Sequence, residues 1–363
     1  MMRMFLAGIL AFLIVAFLFV LVEGRMFLVF GQRRTVARVE DLGAAAVVDL
    51  RPRGEWDRLP RYLDLKLGDV LRITREDGRE VVLSILAVEA ESRRTSCPRT
   101  RVTLEVDGKM TPALCGMREP EREGIGPVEA GGLKIGVEVT RLLFSDLSGG
   151  TSPFNTYRNF RLRGDVRLAI WDASRPAFRG EKGRFVVGQP RWTGDKLGNW
   201  LQRTSYGLHS AIDIFATRGA DPEPVLSPVS GTIYNVYNVD ASPGDSRRSK
   251  SVIVRGDSAV GPAGERVLYR FHHLSEILVG AGDIVRAGQP LGRTGHTGFD
   301  PSIGDHLHFE MRLPPSCFGL PPDGSLFATV PVNPYNFLLE WYGPGPGARQ
   351  EERPGAGASG GRP

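Results

Sequence analysis

Asp305-His306-Leu307-His308-Phe309-Glu310-Met311-Arg312-Leu313 is the stretch that decides how this chain reads. Along a β-strand, successive side chains point to opposite faces. His306 and His308 therefore share a face, with Glu310 in register beside them. Leu307 and Phe309 turn the other way, into a core. Imidazole is both a standard zinc ligand and the commonest general base near neutral pH. A strand with two imidazoles on one face is thus a candidate for metal or proton chemistry, although H-x-H alone is a weak signal.

Working outward, the same region shows more short strands between Gly- and Pro-marked turns. These are PVLSPVSGTIYNVYNV, KSVIVRG, ERVLYRFHHL and GDIVRAGQPLGRTG. Their even spacing predicts a compact antiparallel β fold. All six histidines of the chain fall between His209 and His308. A second polar-faced element is His209-Ser210-Ala211-Ile212-Asp213. If it is extended, His209, Ala211 and Asp213 share a face and Ile212 and Ile214 anchor the other. Ala211 leaves room between two potential ligands. Three protein ligands with one open position is the pattern of a catalytic zinc site. No cysteine lies near enough in sequence to suggest a closed structural site. His272 is expected to face away from His273, His296 to sit in an exposed turn, and Glu310 to be a partner for a ligand or a plain structural carboxylate.

The rest of the chain sets the context. Charged residues make up 24% and hydrophobic ones 41% of the 363 residues, as in ordinary folded domains. The net charge of +5 suits approach to an anionic wall or membrane surface, and scattered Arg without a reader motif argues against nucleic acid. Phe5 to Val22 is an unbroken apolar run preceded by Arg3, long enough to span a bilayer as a helix. Residues 1–24 thus read as a transmembrane anchor, or as a signal segment if cleaved near Val22 and Gly24. Residues 25–60 read as an Arg-rich stalk. Residues 61–180 read as a small β domain without histidine, with hairpins turning at Glu76-Asp77-Gly78 and Asp107-Gly108. Residues 185–341 hold the histidine-bearing β domain, and the Gly- and Pro-rich tail, 342–363, reads as disordered. The overall expectation is a mostly β chain behind an N-terminal membrane helix. In an exported protein, Cys97 and Cys115 are expected to bridge; Cys317 has no evident partner.

The ordered set of motifs resembles the M23 family of zinc endopeptidases, the lysostaphin and LytM type, over roughly Tyr206 to Leu338. The matching segments begin with His209 to Asp213 and Ser230-Gly231-Thr232-Ile233. Phe271-His272-His273-Leu274 follows, then Gly282 to Gly292 and Gly295-His296-Thr297-Gly298. Gly304-Asp305-His306-Leu307-His308-Phe309-Glu310 and Val332-Asn333-Pro334 complete the set. The resemblance implies a LytM-like antiparallel β domain with Zn2+ held by His209, Asp213 and His308. It implies catalytic roles for His306 as general acid–base and for His273 in orienting water or stabilising an oxyanion. It further implies peptidoglycan as the substrate, with cleavage of peptide bonds in stems or cross-bridges. Two departures from the family pattern are Ala211, where relatives carry glycine, and the longer loop of residues 299–303.

Some M23-like proteins have lost ligands and instead bind and activate other wall hydrolases; the complete ligand set favours the enzyme. The linker from about Gly180 to Arg203 carries Asp195 and Asn199, which could reach an open metal position, and Trp192 and Trp200, which could cover a groove; the plainer reading is that the tryptophans pack the start of the catalytic domain and the polar residues face water. Localisation is expected at the membrane, single-pass, with the catalytic domain outside the cytoplasm. Protein partners are not indicated.

Overall fold

The computed structural model describes residues 35–38, 46–50, 59–92, 99–116, 127–145, 159–177, 200–201, 203–204, 207–215, 221–238, 249–260, 264–298, 304–321 and 329–342. The apolar run at 5–22, Cys97, Trp192, Asp195, Asn199, the 299–303 loop and the tail lie outside them. Among the described residues no helix is long and apolar enough to cross a membrane.

Turn chemistry and alternation account for the N-terminal sheets. Asp107 and Gly108 take φ of 48° and 75° and fold Arg99–Val106 back onto Lys109–Gly116. Positive φ at both positions is what a two-residue I′ turn demands. Gly78, at φ 82°, serves the turn that joins Val70–Thr74 to Glu80–Ser92. These strands form a six-stranded sheet ordered Val47–Leu50, Val70–Thr74, Glu80–Ser92, Arg99–Val106 and Lys109–Gly116, with Thr35–Arg38 also paired to Glu80–Ser92. The segment read as a stalk therefore contributes two strands, and Val47–Leu50 runs parallel to Val70–Thr74. Four-residue strands carry too few alternations for periodicity to register. A second sheet orders Arg61–Leu65, Val166–Asp172, Leu133–Thr140 and Val128–Ala130. The hydroxyls of Thr100 and Thr140, 3.1 Å apart, join the two sheets inside the core. The bridge expected between Cys97 and Cys115 is not formed, for Cys115 is a free thiol sealed in that core.

The C-terminal domain is built on a seven-stranded antiparallel sheet. Its order is Ile212–Phe215, His306–Leu313, Arg266–His272, Ser251–Ala259, Gly231–Tyr237 and Ile284–Val285, with Val330–Val332 also on His306–Leu313. A three-stranded sheet of Pro224–Leu226, Pro290–Arg293 and Glu276–Ile277 lies in the same domain. Leu307, Phe309, Met311 and Leu313 are all wholly buried. Burial of each such side chain is worth about 2 kcal/mol, which fixes the register of the alternating polar face. Gly295 is required by close approach: a Cβ there would come within 2.5 Å of the Ser275 backbone nitrogen.

The two parts of the chain meet through a polar and aromatic interface. Glu138, buried in the strand Leu133–Thr140, accepts hydrogen bonds from the Asn333 backbone N–H and from Asn336 Nδ2, both at 2.6 Å. Phe318 packs 5.1 Å from the Tyr62 ring and 4.4 Å from the Arg167 guanidinium. Arg167 is itself held by Asp64 at 2.7 Å. Trp200 does not cover a groove. It is buried edge-on against Phe160, and its indole N–H donates to the Glu138 carbonyl at 3.0 Å.

Candidate metal centre

The strand His306–Leu313 is central, flanked by Ile212–Phe215 on one side and Arg266–His272 on the other. Asp213 pairs directly across from His308, and so does His272. Directly opposed residues share a sheet face. Asp213, His308 and His272 therefore meet on one side of the sheet. His209, just before the first strand, completes the group with Asp213 and His308.

Three nitrogen and oxygen atoms converge there. His209 Nε2 lies 2.9 Å from His308 Nδ1, and Asp213 Oδ1 lies 3.1 Å from His308 Nδ1 and 3.4 Å from His209 Nε2. Both nitrogens of His308 face carboxylates: Nε2 lies 3.3 Å from Glu310 Oε1 and Nδ1 lies 3.1 Å from Asp213 Oδ1, so Glu310 can take the Nε2 hydrogen while Nδ1 is turned to the cluster. A lone pair and a carboxylate oxygen at such range repel unless a cation or proton lies between them. A zinc ion with ligands at about 2.0–2.1 Å would separate tetrahedral donors by roughly 3.3 Å, in line with the observed spacings. The donor set therefore fits Zn2+, held by His209 Nε2, Asp213 Oδ1 and His308 Nδ1.

The electrostatics agree. Burial alone would raise the Asp213 carboxyl, but His209 and His308 outweigh it and hold Asp213 well below the usual carboxylate range. Burial would likewise lower His308, yet the Asp213 and Glu310 carboxylates lift it to about 9. Glu310 is kept ionised despite burial by Arg270 and Arg312, whose Nη1 atoms lie 3.1 and 3.0 Å from its Oε2. Two carboxylates thus bear on one imidazole, the arrangement that makes a ligand basic and fixes its tautomer.

His306 and His273 stand beside this cluster, with ring centroids 5.0 Å apart. His306 Nδ1 donates to the Gly304 carbonyl at 3.0 Å, and Phe215 stacks on its ring at 5.2 Å. His273 Nδ1 donates to the Thr297 carbonyl at 2.9 Å. In both rings Nε2 is therefore the lone-pair nitrogen. Burial lowers both, His273 to about 3, so each is neutral near pH 7. His273 adopts φ 64°. For a non-glycine residue that left-handed backbone costs on the order of 1 kcal/mol, and such strain collects at functional sites. It also breaks strand alternation. His272 and His273 consequently both lie 5.3 Å from the His308 ring, where an uninterrupted strand would set them on opposite sides. The expectation that His272 faces away is thereby corrected. His296 pairs with Asp305 at 2.5 Å and remains partly exposed.

Sequence reasoning missed three residues of the surroundings. Thr297 accepts from the Lys250 backbone N–H at 3.1 Å, which holds the loop whose carbonyl orients His273. Arg312 lies two residues beyond Glu310, on the same strand face, so the alternation that joined His306, His308 and Glu310 contained it as well. Asn159, bonded to Arg312, comes from a distant segment that no local pattern connects to the site.

Three converging ligand atoms with two neutral histidines beside them form a site suited to metal-assisted hydrolysis. Residues 207–322 match the family model described as Peptidase family M23, so that segment is an M23-type domain, as its motifs indicate. The catalytic domain of the antimicrobial peptidase lysostaphin from Staphylococcus simulans is 24% identical, covering 40% of this chain and 90% of that one, with a TM-score of 0.27. LytU is 22% identical, covering 46% and 90%, with a TM-score of 0.29. A SpoIIIAH and SpoIIQ complex offers a chain 23% identical, covering 44% and 94%, with a TM-score of 0.27. Scores this low carry no functional argument. The comparison with curated proteins returned no match.

Proposed function

We propose that the chain is a zinc-dependent endopeptidase that hydrolyses peptide bonds in the stems or cross-bridges of peptidoglycan. The observation that carries this reading is the trio of converging ligand atoms on His209, Asp213 and His308, complete and flanked by two neutral imidazoles. A complete set of ligands also favours an enzyme over a binding-only regulator. Zn2+ bound there supplies a Lewis acid that polarises the scissile carbonyl and makes water acidic enough to ionise near neutral pH.

The chain's own residues divide the remaining work. His306 Nε2 accepts the proton of the attacking water and returns it to the leaving amine. Its Nδ1–H, tied to the Gly304 carbonyl, keeps Nε2 unprotonated until that moment. Its stacking on Phe215 holds the ring plane. His273, with Nδ1 committed to Thr297, is an acceptor at Nε2 in the resting state. It is therefore suited to orienting the water; donating to an oxyanion would require it first to gain a proton. The apolar run at 5–22 supports a reading in which the chain acts outside the cytoplasm, anchored to the membrane or secreted if that segment is cleaved. Digestion of purified peptidoglycan by the zinc-loaded chain is expected to release fragments bearing new amino termini. Intact sacculi after incubation with folded, zinc-loaded protein would overturn the reading.

A further inference from the structure

The polar face of the central strand continues past the ligands into a buried relay. His308 Nε2–H donates to Glu310 Oε1 at 3.3 Å, and Glu310 Oε2 accepts from Arg312 Nη1 at 3.0 Å. Both Glu310 and Arg312 are 6% exposed. The Arg312 guanidinium is then fixed along its other edges. Its Nε donates to Thr329 Oγ1 at 3.0 Å, and its Nη2 to the Thr329 carbonyl and to Asn159 Oδ1, both at 2.7 Å. Thr329 belongs to the peptidase domain. Asn159 does not: it lies in the segment that leads into Val166–Asp172, a strand of the N-terminal β domain.

We propose that Asn159 is a positioning residue for the metal centre, through which the N-terminal β domain orients His308 by way of Arg312 and Glu310. The chemistry is that of a planar fork. A guanidinium held at all three of its nitrogens keeps its plane, and a fixed Nη1 fixes the carboxylate that sets the His308 ring. Removing the Asn159 oxygen leaves one buried N–H of Arg312 without its acceptor and loosens the hold on its plane, which then rests on Thr329 and Glu310 alone. The β domain, which otherwise carries no chemistry, thereby becomes part of the site, and its role is to support the cleft. That differs from the occluding role its linker suggested in sequence, and Trp200, buried at the same interface, agrees with support.

This inference rests on the zinc reading above. The test uses the full chain in detergent, with zinc affinity measured by competition against a chromophoric chelator and kcat and KM read separately on peptidoglycan fragments. Asn159→Ala is expected to raise the zinc Kd about fivefold, less than the 10–100-fold typical of a direct partner because it acts one residue further out. Its kcat should fall while KM holds. Asn159→Asp, which keeps an acceptor oxygen, should stay within about twofold of the parent. Arg163→Ala is the interface control: Arg163 reaches the Gly319 carbonyl at 3.3 Å without touching Arg312, and its loss should leave zinc affinity unchanged. Parental zinc affinity in Asn159→Ala, or an equal loss in Arg163→Ala, would overturn the proposal. Should Asn159→Ala fail to fold, Arg312→Lys takes its place, and parental affinity there overturns it equally. A parent chain that takes up no zinc would instead overturn the functional reading.

Discussion

Glu138 offers a quantitative test of how the two domains are joined. Its carboxyl is 1% exposed and accepts from the Asn333 N–H and Asn336 Nδ2. Burial raises its pKa from 4.5 to about 7, against the lowering effect of those two bonds and of Arg167. Each tenfold change in proton affinity is worth about 1.4 kcal/mol, so ionising Glu138 costs the folded state about 3 kcal/mol relative to the unfolded chain. The sign follows from proton binding. Between pH 4.5 and 7 the folded chain holds this proton more tightly than the unfolded one, so stability falls as pH rises and levels off above 7. Glu138→Gln mimics the neutral acid. With the Asn336 amide turned over, the Gln side-chain N–H can donate to the Asn336 oxygen. About 2.5 kcal/mol of this falls between pH 5 and pH 8, so at about 2 °C per kcal/mol for a chain of this size its Tm advantage over the parent should grow by about 5 °C across that range. Differential scanning calorimetry of both zinc-loaded proteins across that range measures it. Parallel Tm profiles would refute the reasoning, because they would mean that Glu138 ionises in the folded chain as freely as in the unfolded one.

Three further outcomes are expected. His308→Ala should lose zinc on dialysis, as elemental analysis would show, since one of three ligand atoms is gone; full occupancy would remove it from the ligand set. His306→Ala should keep its zinc and fold while kcat falls by about 10²–10⁴, the usual contribution of a general acid–base group. A near-parental rate would exclude His306 from the mechanism. Trp200→Ala should destabilise the chain by about 3–5 kcal/mol, because the indole fills the domain interface and satisfies the Glu138 carbonyl. A denaturation midpoint unchanged from the parent would show that the interface does not depend on it.

The central strand was legible in sequence because period-two alternation and burial act together: Leu307 and Phe309 are wholly buried, and the histidines and Glu310 share the other face. The Asp107-Gly108 hairpin was legible for an equally local reason, the need for positive φ. What escaped was non-local or irregular. The strands Thr35–Arg38 and Val47–Leu50 owe their form to pairing partners tens of residues away. His272 was misplaced because alternation fails at His273, whose left-handed backbone is set by its tertiary surroundings. Arg312 sat within reach of the same alternation rule, but Asn159 and Glu138 act across a domain interface that one sequence does not reveal.

Mass spectrometry of the soluble fragments released from purified peptidoglycan tests the central claim most directly. The zinc-loaded chain is expected to cleave one kind of peptide bond, each event adding one water and exposing one new amino terminus, while His306→Ala with full zinc leaves the same substrate intact. Release of fragments cut in the glycan strand, or equal peptide cleavage by the His306→Ala protein, would contradict it.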